Sequence, residues 1–164
     1  MSYGTGISHC RVVCGAPYRI VDRQAFDPLL AWLRDAYDLP DGGLKVSYGV
    51  GVEKHPAAAV AAVSDALGRL GPWQQVATLS ATQACKSLVL PLAMLHGRIA
   101  PDACADLSRL DEEAQIDEWG LVEGSHDVDR AFTAQAVGAA GSLLGLLRAP
   151  DAPLAPALDA VADV

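Results

Sequence analysis

Apolar side chains recur at helical spacing along most of the chain. Val60, Val63, Leu67 and Leu70 form one stripe, and the run from Leu88 to Leu95 is apolar almost all round. A single stripe is typical of a helix at the surface of a core, and a helix that is apolar all round is typical of a central, buried position. The pattern predicts four helices over residues 56–70, 72–96, 101–119 and 127–148.

Proline and glycine mark the ends of these predicted helices. Proline is preferred at the first helical position and glycine just beyond the last one. The residues that fit these positions are Pro56, Pro72 and Pro101 for helix starts, and Gly71, Gly97 and Gly120 for helix ends. Pro91 lies inside the second predicted helix and is expected to kink it.

The N-terminal part of the chain has a different pattern. Residues 7–14 and 44–52 are rich in β-branched and apolar positions, which predicts two short strands. Between them, Asp27 and Pro28 predict the start of a helix that continues through Tyr37. The expected fold is α+β but mainly α: a bundle of about five helices with a small two- or three-stranded sheet near the N-terminus.

Length and composition are those of one folded domain. The chain has 164 residues, of which 51% are hydrophobic, so it can bury enough apolar surface to offset the entropy of ordering. We expect one domain over residues 1–148. Residues 149–164 are rich in proline and alanine and are predicted to form a flexible or loosely docked tail.

The charge balance restricts the class of partner. The chain has 12 basic and 20 acidic residues, a net charge of −8, which disfavours binding to nucleic acid or to an anionic membrane surface. Its longest apolar run is far shorter than the roughly 20 residues that span a bilayer. The first residues show neither a secretory nor a transit pattern, so a cytoplasmic location is expected. A basic or apolar protein partner fits this charge best.

Residues 108–120 (SRLDEEAQIDEWG) are unusual within a helical pattern. At about 100° per residue, Leu107, Leu110 and Ala114 share one side of the predicted helix, whereas Ile116 and Trp119 lie on the opposite side. A surface helix has one stripe, so the second side faces either another part of the domain or a partner. We expect Trp119 to be buried, because Ile116 one turn earlier offers a packing niche.

Acidic residues are concentrated in the same segment. Eight of the 20 lie between residues 111 and 129. One interpretation is a solvated acidic face in which Arg109 and Glu113 form an i,i+4 ion pair. The other is a surface that binds a partner.

Signals for catalysis or metal binding are weaker. His9, Cys10 and Cys14 form H-C-x3-C, but a zinc site needs about four ligands, and the remaining histidines and cysteines lack paired spacing. Cys85 and Cys104 lie at apolar helical positions and are expected to pack as small hydrophobes. A small thiol- or metal-dependent enzyme is therefore the less favoured alternative.

Three sequence features together resemble a known family. These are the run SLVLPLAMLHGRI at 87–99, the helix start at Pro101, and the motif S-R-L-D-E-E-x-Q-I-x-E-W-G at 108–120. They resemble the C-terminal helical domain of the ATP synthase assembly factor 2 family. More weakly, the resemblance extends upstream through 27–37 and 44–50, so that it covers about residues 8–148.

The resemblance implies a non-catalytic assembly chaperone of the bacterial cytoplasm, monomeric when free. Its client would be the unassembled α subunit of the F-type ATP synthase, whose apolar surface it would shield without a metal or cofactor. The positions that match the family's partner-binding motif are Asp111, Glu112, Glu113, Gln115, Glu118 and Trp119.

Two departures from the family pattern leave a shortened paralogue with another protein client as an alternative. Family members usually begin with a β-rich domain, for which the segment before Asp27 is too short. In addition, Ala114 stands where an aromatic residue is common, and Leu121, Val122 and Gly124 interrupt the acidic stretch.

Overall fold

The computed structural model describes residues 13–14, 19–40, 43–45, 47–48 and 54–148. Within these residues it contains seven helices and one pair of short strands. The elements are β1 (Val13–Cys14), α1 (Arg19–Ala36), β2 (Ser47–Tyr48), α2 (Ala57–Gly68), α3 (Pro72–Cys85), α4 (Val89–Leu95), α5 (Pro101–Leu107), α6 (Leu110–Trp119) and α7 (His126–Leu147). None of the helices in this part of the chain is long and apolar enough to cross a membrane.

The predicted α+β class is wrong, because the fold is mainly α. Within the described residues, strand pairing is limited to the parallel pairing of Val13 with Ser47 and of Cys14 with Tyr48. Two residue pairs cannot form a sheet layer with an apolar face of its own, and the buried core consists of residues from the helices and their connections. Leu44 and Lys45 are not in a strand, and the other positions of the predicted strands lie outside the described residues.

Helix α1 begins earlier than the proline signal predicts. Pro28 lies inside the helix rather than at its first position. Ala25, Leu29 and Leu33 are fully or almost fully buried at a spacing of four residues, so one apolar stripe crosses the proline. An internal proline costs about 3 kcal/mol of helix stability, and burial of this stripe offsets that cost.

The predicted helix over 72–96 is two helices, α3 and α4. Lys86 follows α3 with a left-handed backbone, at φ 53°. Pro91 lies in the first turns of α4, where its ring conflicts with a helical carbonyl four residues earlier. The helix is therefore interrupted before Pro91, and not merely kinked at it as the sequence predicts.

The predicted helix over 101–119 is also two helices, α5 and α6. The Ser108 hydroxyl donates a hydrogen bond to the Ala105 carbonyl at 2.7 Å, and Arg109 leaves the helical backbone at φ −113°, ψ 5°. Serine side chains compete in this way with the backbone for helical hydrogen bonds. Because α5 and α6 are separate helices, a helical wheel that starts in α5 does not give the direction of Trp119.

Helix α4 lies at the centre of the molecule, as predicted for residues 88–95. All its residues except Leu95 are buried. Helices α1, α3, α5 and α7 pack against it, and α3 also packs along α7. Close approach of α5 and α7 depends on Gly141, because a Cβ there would lie 2.4 Å from Pro101 Cγ. This packing leaves α6 at the edge of the bundle.

Candidate partner-binding site

Helix α6 carries all six residues of the predicted partner-binding motif. Three of them, Asp111, Glu112 and Glu113, occupy its first turn, where carboxylates interact favourably with the helix dipole. The helix ends at Gly120, whose φ of 90° suits glycine. Ala114 is its buried residue, so most of the remaining surface of α6 is open to solvent or to a partner.

Arg109 organises the acidic side of α6. Its side chain is only 5% exposed, and its guanidinium lies 2.9 Å from Glu112, 3.3 Å from Glu113 and 2.6 Å from Asp129 of α7. It also donates a hydrogen bond to the His126 carbonyl at 3.3 Å. The predicted Arg109–Glu113 ion pair is confirmed, but its arginine is buried rather than solvated.

Glu113 lies between two guanidinium groups. Its carboxylate accepts hydrogen bonds from Arg109 and from Arg130 of α7, and the Arg130 Nε contact measures 3.2 Å. Charge-assisted hydrogen bonds of this kind are the stronger ones in proteins. Glu113 therefore joins α6 to α7.

Three residues of the motif line an open cavity of about 580 Å³ between α6, α7 and the α3–α4 connection. They are Asp111, Glu112 and Gln115. The same cavity is lined by the buried apolar residues Leu90 and Leu107. Its shape and composition suit an amphipathic group, with an apolar part inside and a polar or basic part near the carboxylates.

Trp119 lies apart from the cavity and is 73% exposed, so the prediction that it is buried is wrong. The chain turns at Gly120, and none of the described elements covers the indole. Leu121 and Val122, which follow it, are also exposed. Glu118, next to Trp119, is exposed too. The motif thus has a part that lines the cavity and an exposed part at the end of α6.

Sequence reasoning missed the residues that hold the motif in place. Asp129 and Arg130 lie on another helix, and no local spacing links them to Arg109. The one sequence signal is the i,i+4 spacing of Arg109 and Glu113, which predicts their ion pair. Lys86 also lines the cavity, close to the break between α3 and α4.

The two cysteines of the core lie side by side. Cys85 and Cys104 are buried, and their Sγ atoms are 3.7 Å apart, which confirms that both pack as small hydrophobic residues. The hydrogen bond between them lowers the pKa of Cys85, and together with burial it raises the pKa of Cys104. His9 and Cys10 lie outside the described residues, so the H-C-x3-C hypothesis stays a prediction.

Comparison with known proteins gives a consistent set of relatives. No family model matches the chain. Mitochondrial Atp12 of Schizosaccharomyces pombe is 30% identical over 63 residues, which are 38% of this chain and 22% of that protein. The crystal structure of Atp12 from Paracoccus denitrificans superposes with a TM-score of 0.75 at 26% identity, over 83% of this chain and 58% of that one. The Atu1473 protein of Agrobacterium tumefaciens shares the fold, with a TM-score of 0.71 at 23% identity, over 86% of this chain and 53% of that one.

These matches show that the chain has the fold of the matched 58% of an ATP synthase assembly factor. By sequence and by structure, the chain is homologous to Atp12. It spans less than two thirds of the length of the relatives that it matches.

Proposed function

We propose that the chain is a non-catalytic assembly chaperone that binds and shields the unassembled α subunit of the F-type ATP synthase. The observation that carries this proposal is the similarity to Atp12, which extends over 83% of the chain in three dimensions. Within the proposal the free protein is a monomer in the bacterial cytoplasm and needs no cofactor.

The client site would be the acidic helix α6. An indole that is 73% exposed is unusual for a residue without a binding role, and tryptophan is enriched among residues that dominate interface energies. Glu118 adds a negative charge beside it. The cavity lined by Asp111, Glu112 and Gln115 supplies a second contact, and the net charge of −8 favours a basic counterpart.

The six motif residues would have three different roles in binding. Glu113 positions α6 against α7 through its two arginines. Asp111, Glu112 and Gln115 would receive a basic side chain of the client at the cavity. Glu118 and Trp119 would contact the client directly at the exposed end of the helix.

The test is suppression of aggregation of the isolated α subunit by purified chain. The variant Glu118→Lys/Trp119→Ala changes two exposed side chains, so it should fold normally and lose at least tenfold in apparent affinity. Asp65→Lys, at an exposed position of α2, is the control with the same change in charge. It should protect as well as the unchanged protein.

The possible outcomes test the chaperone function and the location of the client site separately. If the unchanged chain leaves α-subunit aggregation unaltered, the chaperone function is refuted, and the hypothesis of a paralogue with another client replaces it. If the unchanged chain protects and the α6 variant protects equally, the function stands and the exposed end of α6 is not the client site. Loss of salt sensitivity in the α6 variant would support the charge-based part of the site.

A further inference from the structure

An uncharged surface lies on α3 and α7, apart from the acidic site. Residues 72–85 and residues 131–147 contain no Asp, Glu, Lys or Arg, although 20% of the whole chain is charged. Large apolar side chains nevertheless point outward there, each between 55% and 84% exposed: Trp73, Val76, Leu79, Phe132 and Leu146. We call these five residues the uncharged face. Isolated exposed apolar residues are normal, but a contiguous set of them indicates an interaction surface.

The contacts of α3 and α7 place these side chains on one side of the molecule. Cys85, at the end of α3, contacts Cys104 of α5. Arg109 follows α5 closely in the chain and pairs with Asp129 near the start of α7. The end of α3 therefore lies near the start of α7, and the two packed helices run antiparallel.

The other sides of both helices are occupied. Gln75 of α3 donates hydrogen bonds to the carbonyls of Leu67 and Leu70 at the end of α2. On α7, Gly141 packs against Pro101 of α5. At about 100° per residue, Trp73 and Val76 of α3 and Phe132 and Leu146 of α7 lie away from these contacts, and Leu79 lies one turn beyond Gln75 on the same side of α3. They form one continuous outer face of the α3–α7 pair.

This face continues into the exposed end of the acidic site. Val122 donates its backbone N–H to the His126 ring at 3.2 Å, which fixes the segment after α6 at the first turn of α7. From there the exposed Val128 leads one turn further to Phe132. A partner seated on Trp119 and Val122 would therefore extend along α7 without a gap.

We propose that the uncharged face binds an apolar, uncharged subunit-contact surface of the unassembled α subunit, and this rests on the function proposed above. Two of its five side chains, Trp73 and Phe132, are aromatic, and an aromatic side chain buries on the order of 150–250 Å² when fully covered. The face therefore supplies a substantial part of one side of a standard interface, about 800 Å². A second copy of the chain fits less well, because it would bring a further net charge of −8 against the acidic end of the same surface. A client with a basic rim beside an apolar face complements both parts.

The experiment uses Val76→Lys/Leu146→Lys, which introduces charge at two exposed positions of the uncharged face. The melting temperature should change by no more than about 2 °C, because exposed positions contribute little to stability. Apparent affinity for the isolated α subunit should fall at least tenfold, and this loss should persist at 0.5 M NaCl. Ala61→Lys/Ala134→Lys, at exposed positions away from the face, adds the same two charges; it is the matched control and should bind normally.

Three outcomes would overturn the inference. Normal binding of the α subunit by Val76→Lys/Leu146→Lys would show that the client does not use the face, while the chaperone function would stand. Concentration-dependent dimers of the unchanged chain in sedimentation, absent from the lysine variant, would assign the face to self-association. If the unchanged chain does not bind the α subunit at all, the inference and the proposed function both fail. This result differs from the first one, in which the unchanged chain and the variant both bind.

Discussion

Replacement of Arg109 tests whether the acidic site is held together from inside. The variant Arg109→Met keeps most of the apolar stem but removes the guanidinium that pairs with Glu112, Glu113 and Asp129. In the native chain these three carboxylates share the Arg109 guanidinium. In the variant they would repel one another without that positive charge. The contact between α6 and α7 should weaken, since Arg109 also donates to the His126 carbonyl.

The expected loss can be worked from burial. Removal of one partner of a fully buried ion pair costs about 3–5 kcal/mol. Here the arginine is buried, but its three acidic partners are between 30% and 51% exposed, so solvent screens part of the repulsion. We expect a loss of about 2–4 kcal/mol in the free energy of unfolding. At about 2–4 °C per kcal/mol for a chain of this size, the melting temperature should fall by about 5–15 °C.

Urea unfolding followed by circular dichroism measures this loss, with Arg130→Met as the matched control. Arg130 is exposed and pairs with Glu113 alone among the described residues, so its replacement should cost no more than about 1 kcal/mol. Added salt should restore part of the stability of Arg109→Met by screening the carboxylates. Equal losses in the two variants would refute the view that Arg109 is the internal anchor of the site.

Three further predictions follow from burial, packing and ionisation. Trp119→Ala alone should change the free energy of unfolding by less than about 0.5 kcal/mol, because the indole is exposed; a loss of several kcal/mol in urea would show that it packs inside the domain. Gly141→Ala should cost about 1–3 kcal/mol, since its Cβ would overlap Pro101, whereas Gly138→Ala meets open space and should be neutral or stabilising; thermal melts of both variants decide. Burial, and then a neighbouring guanidinium, lower the pKa of His96. As pH falls, the unfolded chain therefore binds a proton at His96 before the folded chain does. The stability that neutral His96 contributes is fully present above pH 6.5 and is lost as pH falls through the lower folded pKa. Stability measured at pH 7.5 and pH 5.5 should fall less in His96→Gln, and an equal fall would contradict the assignment.

The sequence by itself determined the helical character of the chain and its central element. Helices α2 and α7 lie close to their predicted bounds, because local signals act there: an apolar stripe, a proline near the start, or both. The run from Leu88 to Leu95 contains too few polar positions to face water, so its burial followed from composition alone. The run at 87–99, the helix start at Pro101 and the motif at 108–120 together indicated the relationship to Atp12.

Tertiary structure decided where the long helices break. Apolar periodicity continues across Lys86 and across Ser108 and Arg109, so the pattern predicts one helix at each place where the fold has two. A break is favoured when the freed side chains gain contacts elsewhere, as Arg109 does with α7. Conversely, Pro28 predicts a helix start that burial of the α1 stripe overrides.

Tertiary structure also decided the arrangement of the candidate site. The six candidate residues were predicted from sequence, but their division between a cavity, an internal ion-pair network and an exposed helix end was not. The pairing of Arg109 with Asp129 spans 20 residues, and the uncharged face combines two helices that are distant in sequence. Local sequence signals extend over one or two helical turns, whereas exposure of Trp119 depends on whether any distant element covers it. Only the packed chain determines that.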